Sequence, residues 1–363
     1  MEPSGPISRR RLISGAAQPL DSPNSADAGG MDGFDRFDDV PNPYWLRFAR
    51  AAMATQFQLL VVAGVDDSAN AAASTALDEI QSLEAQLSIY REDSEVSAIN
   101  RRAAAGPVAV EPQLLDLLRR ADRISLETGG AYDVTSGPII DLWQAARRVP
   151  TIPDAAAIAA VLTSVGSRHL GIDLASGTVR FGVPGMKLNL GAIGKGYALD
   201  RSATRLVDRG IEHFLWHGGQ SSVLCRGSAK GPALPAAGWI IGVGHPLKSG
   251  RRLAELVVRN RAVGTSGAGF QFYRHEGKRY GHILDPRTGW PAEGVFSVTV
   301  LAPSAAEADA LSTAFYVLGY DGAADYCTSH PDVGFLMLLP AAGGTAVELA
   351  TCGLDDRDWR LSD

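Results

Sequence analysis

Cysteine is scarce in this chain of 363 residues, which holds only Cys225, Cys327 and Cys352. The number is odd and no C-x-x-C spacing occurs, so neither a disulfide framework nor a cysteine zinc site is expected. A single bridge stays open, because spacing does not decide pairing. Long apolar runs are missing as well; none approaches the roughly 20 residues that span a bilayer. There is no basic excess: the formal net charge is -6, which argues against a general nucleic-acid surface. No internal repeat of fixed period is visible. What remains is 45% hydrophobic and 20% charged, the composition of a globular protein with one large or two ordinary domains.

The N-terminus begins "SRRRLISGAAQPL", with Arg9 and Arg10 placed as in a twin-arginine export signal. The apolar stretch that follows is short and is broken by Pro19 and Asp21, whereas a signal peptide needs about 7–15 apolar residues. No cysteine follows that could carry a lipid anchor. The polar, acidic, Gly/Pro-rich run up to Tyr44 reads as flexible tail. Residues 1–44 are therefore expected to be a disordered tail or degenerate signal, and 45–363 the folded body. The reading favours a cytoplasmic protein and leaves a periplasmic one open.

Within the body, "TQFQLLVVAG" alternates as a strand, and a helix is predicted from about Asp67 to Leu87. A second helix is predicted over Pro112–Glu127, and a third over "KGYALDRSATRLVDRG", stopped at Gly210. "TVRFGV" and "MKLNL" read as a strand pair joined at Pro184–Gly185. "HFLW", "SVLC", "WIIGV", "AELVV", "RYGHIL", "FSVTVLA", "VGFLMLL" and "TAVELAT" read as further strands. Helices and strands mix without strict alternation, so the expected class is α+β, with mixed or antiparallel sheets and packed helices.

The stretch "SAAEADALSTAFYVLG" carries an S-x-x-E capping box at Ser304 and Glu307 and a stop at Gly319. Helical spacing puts Asp309, Ser312 and Thr313 on one face, beside the core residues Leu311 and Phe315. Hard oxygen atoms at a core boundary need partners, whether protein, water or metal.

Four other stretches could carry chemistry. "LSIYREDSEVSAIN" holds an isolated Tyr90 among polar residues, either an exposed loop or an aromatic platform for a flat ligand. "TGGAYDVTSGPIIDLW" combines Gly129, Gly130 and Gly137 with Asp133, a mixture suited to close approach of a ligand. "LNLGAIGKGYALD" runs a strand through a Gly-rich turn into a helix, where backbone N–H groups and Lys195 would hold an anion. It lacks both the G-x-x-x-x-G-K-[ST] and the G-x-G-x-x-G spacing, so a phosphate loop or dinucleotide Rossmann site is unsupported; the plain alternative is a strand–helix turn with a surface lysine. In "VGTSGAGFQFYRHEGKRYGHILDPRTGWP", Thr265, Ser266 and Gly267 read as a polar turn and His282 as a strand residue followed at once by Asp285. A strand histidine is more often structural, but a neutral imidazole followed by an acid is also a candidate general base.

Taken in order, "MATQF", "LSIYREDSEVSAIN", "TGGAYDVTSGP", "LNLGAIGKGYALD", "HGGQ", "TSGAG", "HILDPRTG" and "AEADALSTAFYVLG" resemble the FAD:protein FMN transferases, the ApbE-like flavin transferases. The resemblance covers about Met53 to Gly319 and implies an α+β fold. It implies an enzyme that binds FAD with Mg²⁺, splits the pyrophosphate, and joins FMN by a phosphoester to a threonine or serine of a target flavoprotein. Some members hydrolyse FAD to FMN and AMP instead, and a non-catalytic FAD-binding protein is a third possibility. Carried onto this chain, Met53, Tyr90, Ala131, Tyr132, Asp133, Asn189, Lys195 and Ile283 would lie against FAD. The carbonyl of Ala192 with Asp309, Ser312 and Thr313 would hold the metal, and His282 would take the proton of the incoming hydroxyl. Four positions depart from the family pattern: Asn189 and Gln220 where aspartates are common, Val134 for a proline, and Ala268 where an acid is frequent.

Overall fold

Side-chain alternation in the central strands feeds two cores at once. The computed structural model describes residues 8–13, 45–62, 68–149, 151–230, 238–267, 272–341 and 346–362. Asp67, most of the 1–44 segment and the Ala268–Gly269 end of "TSGAG" lie outside them. A nine-stranded sheet, antiparallel throughout, runs in the order β1 (Ser8–Ile13), β16 (Val347–Cys352), β15 (Gly334–Pro340), β14 (Ser297–Ala302), β11 (Arg261–Gly267), β8 (Ser222–Arg226), β7 (Phe214–Gly218), β3 (Thr55–Val62), β2 (Trp45–Ala52). On one face Phe214, Trp216, Leu224, Val298, Val300, Phe335 and Met337 meet the helices. On the other, Leu215, Val223, Val263, Leu301, Leu336 and Leu349 meet a three-stranded sheet of β9 (Trp239–Gly244), β10 (Arg252–Val258) and β17 (Trp359–Leu361). Strands covered on both sides are apolar at successive positions, as β7 is in burying all five of its residues. The α+β expectation holds.

The helical layer is α1 (Ser68–Leu87), α6 (Gly194–Val207) and α7 (Ala305–Ser329). Flanking it are α2 (Glu95–Arg102), α3 (Pro112–Glu127) and a small sheet of β4 (Val108–Ala109), β6 (Thr178–Phe181) and β5 (Leu170–Asp173). A satellite core around Trp143 gathers α4 (Gly137–Arg148), α5 (Ala155–Leu162) and the hairpin β12 (Phe272–His275) and β13 (Lys278–Gly281).

Several expectations are corrected. Ser8–Ile13, expected in the tail, pairs with Val347–Cys352 as an edge strand. "TVRFGV" pairs with Leu170–Asp173, not with "MKLNL", which makes only an isolated bridge from Lys187 to Ser136. Thr265–Gly267 is the end of β11, not a turn. β13 stops at Gly281, so His282 follows the strand instead of lying on it. Gly319 ends the first helical segment as expected, with φ 70, ψ -171, but past this kink a second helical segment, not foreseen, runs to Ser329. "YREDSEVSAIN" is not only loop, since Ser94 caps α2 through the Ser97 N–H.

Candidate active site

The start of α7 is fixed by three sets of contacts. Ser304 Oγ accepts from the Glu307 N–H, as its capping box requires. The Asp200 carboxylate, on α6, accepts the next free N–H groups, those of Ala305 at 2.8 Å and Ala306 at 2.9 Å. Two glycines then let α7 sit against backbone. A Cβ on Gly196 would lie 2.0 Å from the Ala305 carbonyl oxygen, and one on Gly264 would lie 2.2 Å from that of Ala308.

This close seating delivers Asp309. Its Oδ2 accepts from the Gly196 N–H at 2.7 Å and the Ser222 hydroxyl at 3.0 Å. Both donors fall on one oxygen, and among the described residues Oδ1 receives none. Burial pushes the carboxyl up to about 6, with the Lys195 charge, Ser222 and the Gly196 N–H opposing the shift. The adjoining hydroxyls are partly satisfied by protein. Ser312 Oγ donates to the Asp309 carbonyl at 2.9 Å and lies 2.9 Å from Ser266 Oγ. Thr313 Oγ1 makes the longer contacts, 3.4 Å to the same carbonyl and 3.3 Å to Ser266. A hydroxyl that donates to a carbonyl keeps lone pairs for another partner.

Tyr132 supplies the second unbalanced group. Its hydroxyl is buried and has no hydrogen-bond partner among the described residues, a state that costs about 1–3 kcal/mol. Burial first, then the charges of Asp133 and Asp309, push its ionisation well above the usual range. Asp133 itself is fully engaged. It accepts from the Thr135 N–H and hydroxyl on Oδ1, and from the Ser125 hydroxyl and Ser167 N–H on Oδ2. Its side chain therefore anchors the 131–133 segment, and Ala131 beside it is wholly buried.

The oxygen set suits a hard divalent cation. Mg²⁺ uses one or two carboxylates, neutral oxygens and substrate phosphates more often than an all-acid cage. Asp309 Oδ1, Ser312 and Thr313 match that pattern, and among the described residues no cluster of three or more His, Cys, Asp or Glu competes with it. Ala192 is in the half-buried turn before α6, four residues ahead of Gly196.

The remaining candidates lie on other elements. Asn189 Oδ1 accepts from the Gly191 N–H at 2.8 Å, shaping the turn into α6, and its own N–H bonds the Val134 carbonyl at 2.7 Å. Asn100 holds Leu188 on both sides, accepting from its N–H and donating to its carbonyl. Tyr90 is 79% exposed at a cavity of about 240 Å³ also lined by Asn100, Arg101, Asp141, Lys187 and Leu188. Met53 and Ala54 form the two-residue β2–β3 turn with φ of 50 and 57, and Glu84 accepts the Met53 N–H at 2.7 Å. Two non-glycine residues in the left-handed region are uncommon and mark a held conformation.

His282 is half-buried and Ile283 buried, at the head of a loop to Pro291. Asp285, the acid that drew attention to His282, is bound by the backbone and guanidinium of Arg287. The Arg287 side chain packs over Gly130, so this loop lies against the segment that carries Tyr132. Sequence reading missed Ser222 and Asp200, whose partners lie 87 and 105 residues away, and it noted Ser266 without giving it a role in the site.

Fold and site together define a mixed helix and antiparallel-sheet protein with a buried carboxylate facing a glycine-rich helix start. The chain belongs to the ApbE family, whose profile matches residues 53–337. It is similar to the FAD:protein FMN transferase of Treponema pallidum (strain Nichols), 35% identical over 280 residues, covering 73% of this chain and 77% of that protein. The FAD:protein FMN transferase of Klebsiella pneumoniae (strain 342) is 32% identical over 274 residues, covering 74% and 77%. Among solved structures, the ApbE protein from Thermotoga maritima MSB8 superposes with a TM-score of 0.74 at 28% identity, over 83% of this chain and 96% of that one. The flavin transferase ApbE from Vibrio cholerae gives 0.72 at 28% identity, over 84% and 96%.

Proposed function

We propose that this chain is a Mg²⁺-dependent FAD:protein FMN transferase that attaches FMN to a threonine or serine of an acceptor flavoprotein. The observation that carries the reading is Asp309: one oxygen fixed by Gly196 and Ser222, the other without a donor among the described residues, in surroundings that raise its proton affinity. A buried carboxylate left in this state favours a cation beside it. The relatives' names supply FAD and the protein acceptor.

In this reading Asp309, Ser312, Thr313 and the Ala192 carbonyl would hold Mg²⁺, which when bound supplies charge neutralisation on the pyrophosphate. The first turn of α6, with Lys195, offers positive charge to the diphosphate. Tyr90 and Met53 would bound the flavin, with Tyr132, Asn189 and Ile283 around it. The acceptor hydroxyl oxygen attacks the phosphorus on the FMN side. A new P–O bond forms, the pyrophosphate P–O bond breaks, and AMP leaves. His282 takes the proton of the attacking hydroxyl.

The test is incubation with FAD, Mg²⁺ and a threonine-bearing acceptor domain. Acceptor that fluoresces after denaturing electrophoresis supports transfer. AMP and free FMN with unlabelled acceptor would show a pyrophosphatase, and intact FAD a non-catalytic binder.

A further inference from the structure

The β12–β13 hairpin is a two-stranded sheet whose outer strand edges pair with nothing among the described residues. Its two faces differ. Tyr273 stands opposite Tyr280 in the register, and both turn into the satellite core, Tyr280 lying 5.8 Å from Trp143 by ring centroid. Tyr273 also donates its hydroxyl to the Thr151 carbonyl. The hairpin is thus pinned by one face.

The other face carries Phe272, Arg274 and Arg279, all exposed. Arg274 stands directly opposite Arg279 across the strands, and like charges so placed destabilise a pair. Both guanidiniums lie over the Phe272 ring, at 5.5 Å and 3.8 Å from its centroid. Stacking relieves some of that repulsion, and among the described residues neither guanidinium has a carboxylate partner, which leaves the N–H edges open to an anion. Lys278, on the inner face, is paired with Glu293 at 3.1 Å. The hairpin thus holds three cations against one acid, Glu276, in a chain of net charge -6.

The charged face also adjoins the candidate site. β13 runs straight into His282 and Ile283.

We infer that the Phe272–Arg274–Arg279 face is the docking surface for the acceptor polypeptide, and that it takes an extended segment with acidic residues flanking the target hydroxyl. This deepens the transferase reading and rests on it. A paired-arginine face with open strand edges fits a polypeptide that adds main-chain hydrogen bonds and carboxylates together.

The experiment uses two synthetic threonine-bearing peptides, identical except that glutamates flank the threonine in one and glutamines in the other. Binding is read by fluorescence anisotropy, and FMN transfer by peptide mass, for the wild type and for Arg274→Glu/Arg279→Glu. The expected result is that wild type prefers the glutamate peptide and that the double reversal weakens it by about tenfold or more, with FAD affinity unchanged. Arg274→Gln/Arg279→Gln, which only removes charge, should give a smaller loss in the same direction and serves if the reversal does not fold. Equal affinity for both peptides, or glutamate-peptide binding and transfer untouched by both variants, would overturn the docking face. So would a parallel loss of FAD affinity, which would assign the arginines to the flavin. Preferential, arginine-dependent binding without FMN transfer would keep the surface and refute the transferase reading instead.

Discussion

At the scale of single residues, Asp309 and Tyr132 are two of the candidate site groups whose surroundings are unbalanced. Because burial raises the Asp309 carboxyl to about 6, the metal-free folded state holds a proton between about pH 4 and pH 6 that the unfolded chain has lost. The native state then binds more protons than the unfolded one, so this residue's contribution falls as pH rises through that window and is flat above it. Asp309→Asn keeps an acceptor for Gly196 and Ser222 and removes the titration. Relative to it, metal-free wild type is expected to lose on the order of 2–3 kcal/mol of stability from pH 4 to pH 6.5, measured by urea unfolding in EDTA. Mg²⁺ should restore the loss at pH 7.5 and do little at pH 4.5, and the variant should lose turnover while keeping its fold. Identical pH profiles for the two proteins would remove the buried charge from the account.

Tyr132 offers a sharper separation of structure from ligand binding. Its hydroxyl has no partner among the described residues, so Tyr132→Phe removes a polar atom that costs stability. Tm should stay level or rise, whereas FAD affinity should fall if the hydroxyl meets the ligand. A fall in Tm with unchanged FAD affinity would mean that the hydroxyl is a structural atom.

At the scale of elements, the site depends on how flat α7 lies on its neighbours. A methyl group at Gly196 meets backbone, not a yielding side chain. Gly196→Ala is expected to cost about 1–3 kcal/mol and, by shifting the Gly196 N–H away from Asp309, to lower kcat more than tenfold. Thermal melts and steady-state transfer rates check both, and wild-type kcat in a variant of wild-type stability would contradict the seating argument. The same closeness explains why β11 was misread. Thr265, Ser266 and Gly267 look like turn residues, but β11 passes under α7, where Gly264 has no room for a Cβ. "MKLNL" failed in the opposite direction: Met186, Leu188 and Leu190 are buried and Lys187 exposed, a strand's alternation with only one bridging partner. Local pattern reports burial, and pairing is decided elsewhere.

At the scale of the whole molecule, what could be read from sequence was local. The capping box at Ser304, the helix over Pro112–Glu127 and the face shared by Asp309, Ser312 and Thr313 all follow from short-range rules. What could not be read was long-range: Ser222 and Asp200 find α7 only through the sheet order and the α6 crossing. The chain's first segment shows the same limit. Ser8–Ile13, read locally as tail, covers the edge of β16. Deleting residues 1–13 should expose that strand's backbone and promote association. Light scattering on heating should then rise, while transfer per folded molecule stays the same; unchanged scattering would show that the edge strand contributes no protection.

The most direct test of the central claim is the position of the cation. Crystals grown with FAD and Mn²⁺, standing in for Mg²⁺, would be measured for anomalous scattering. The account predicts a peak beside Asp309 Oδ1, within reach of Ser312 or Thr313, with the FAD diphosphate bound to it. An ordered FAD with no peak there, or a peak held by other residues, would contradict it.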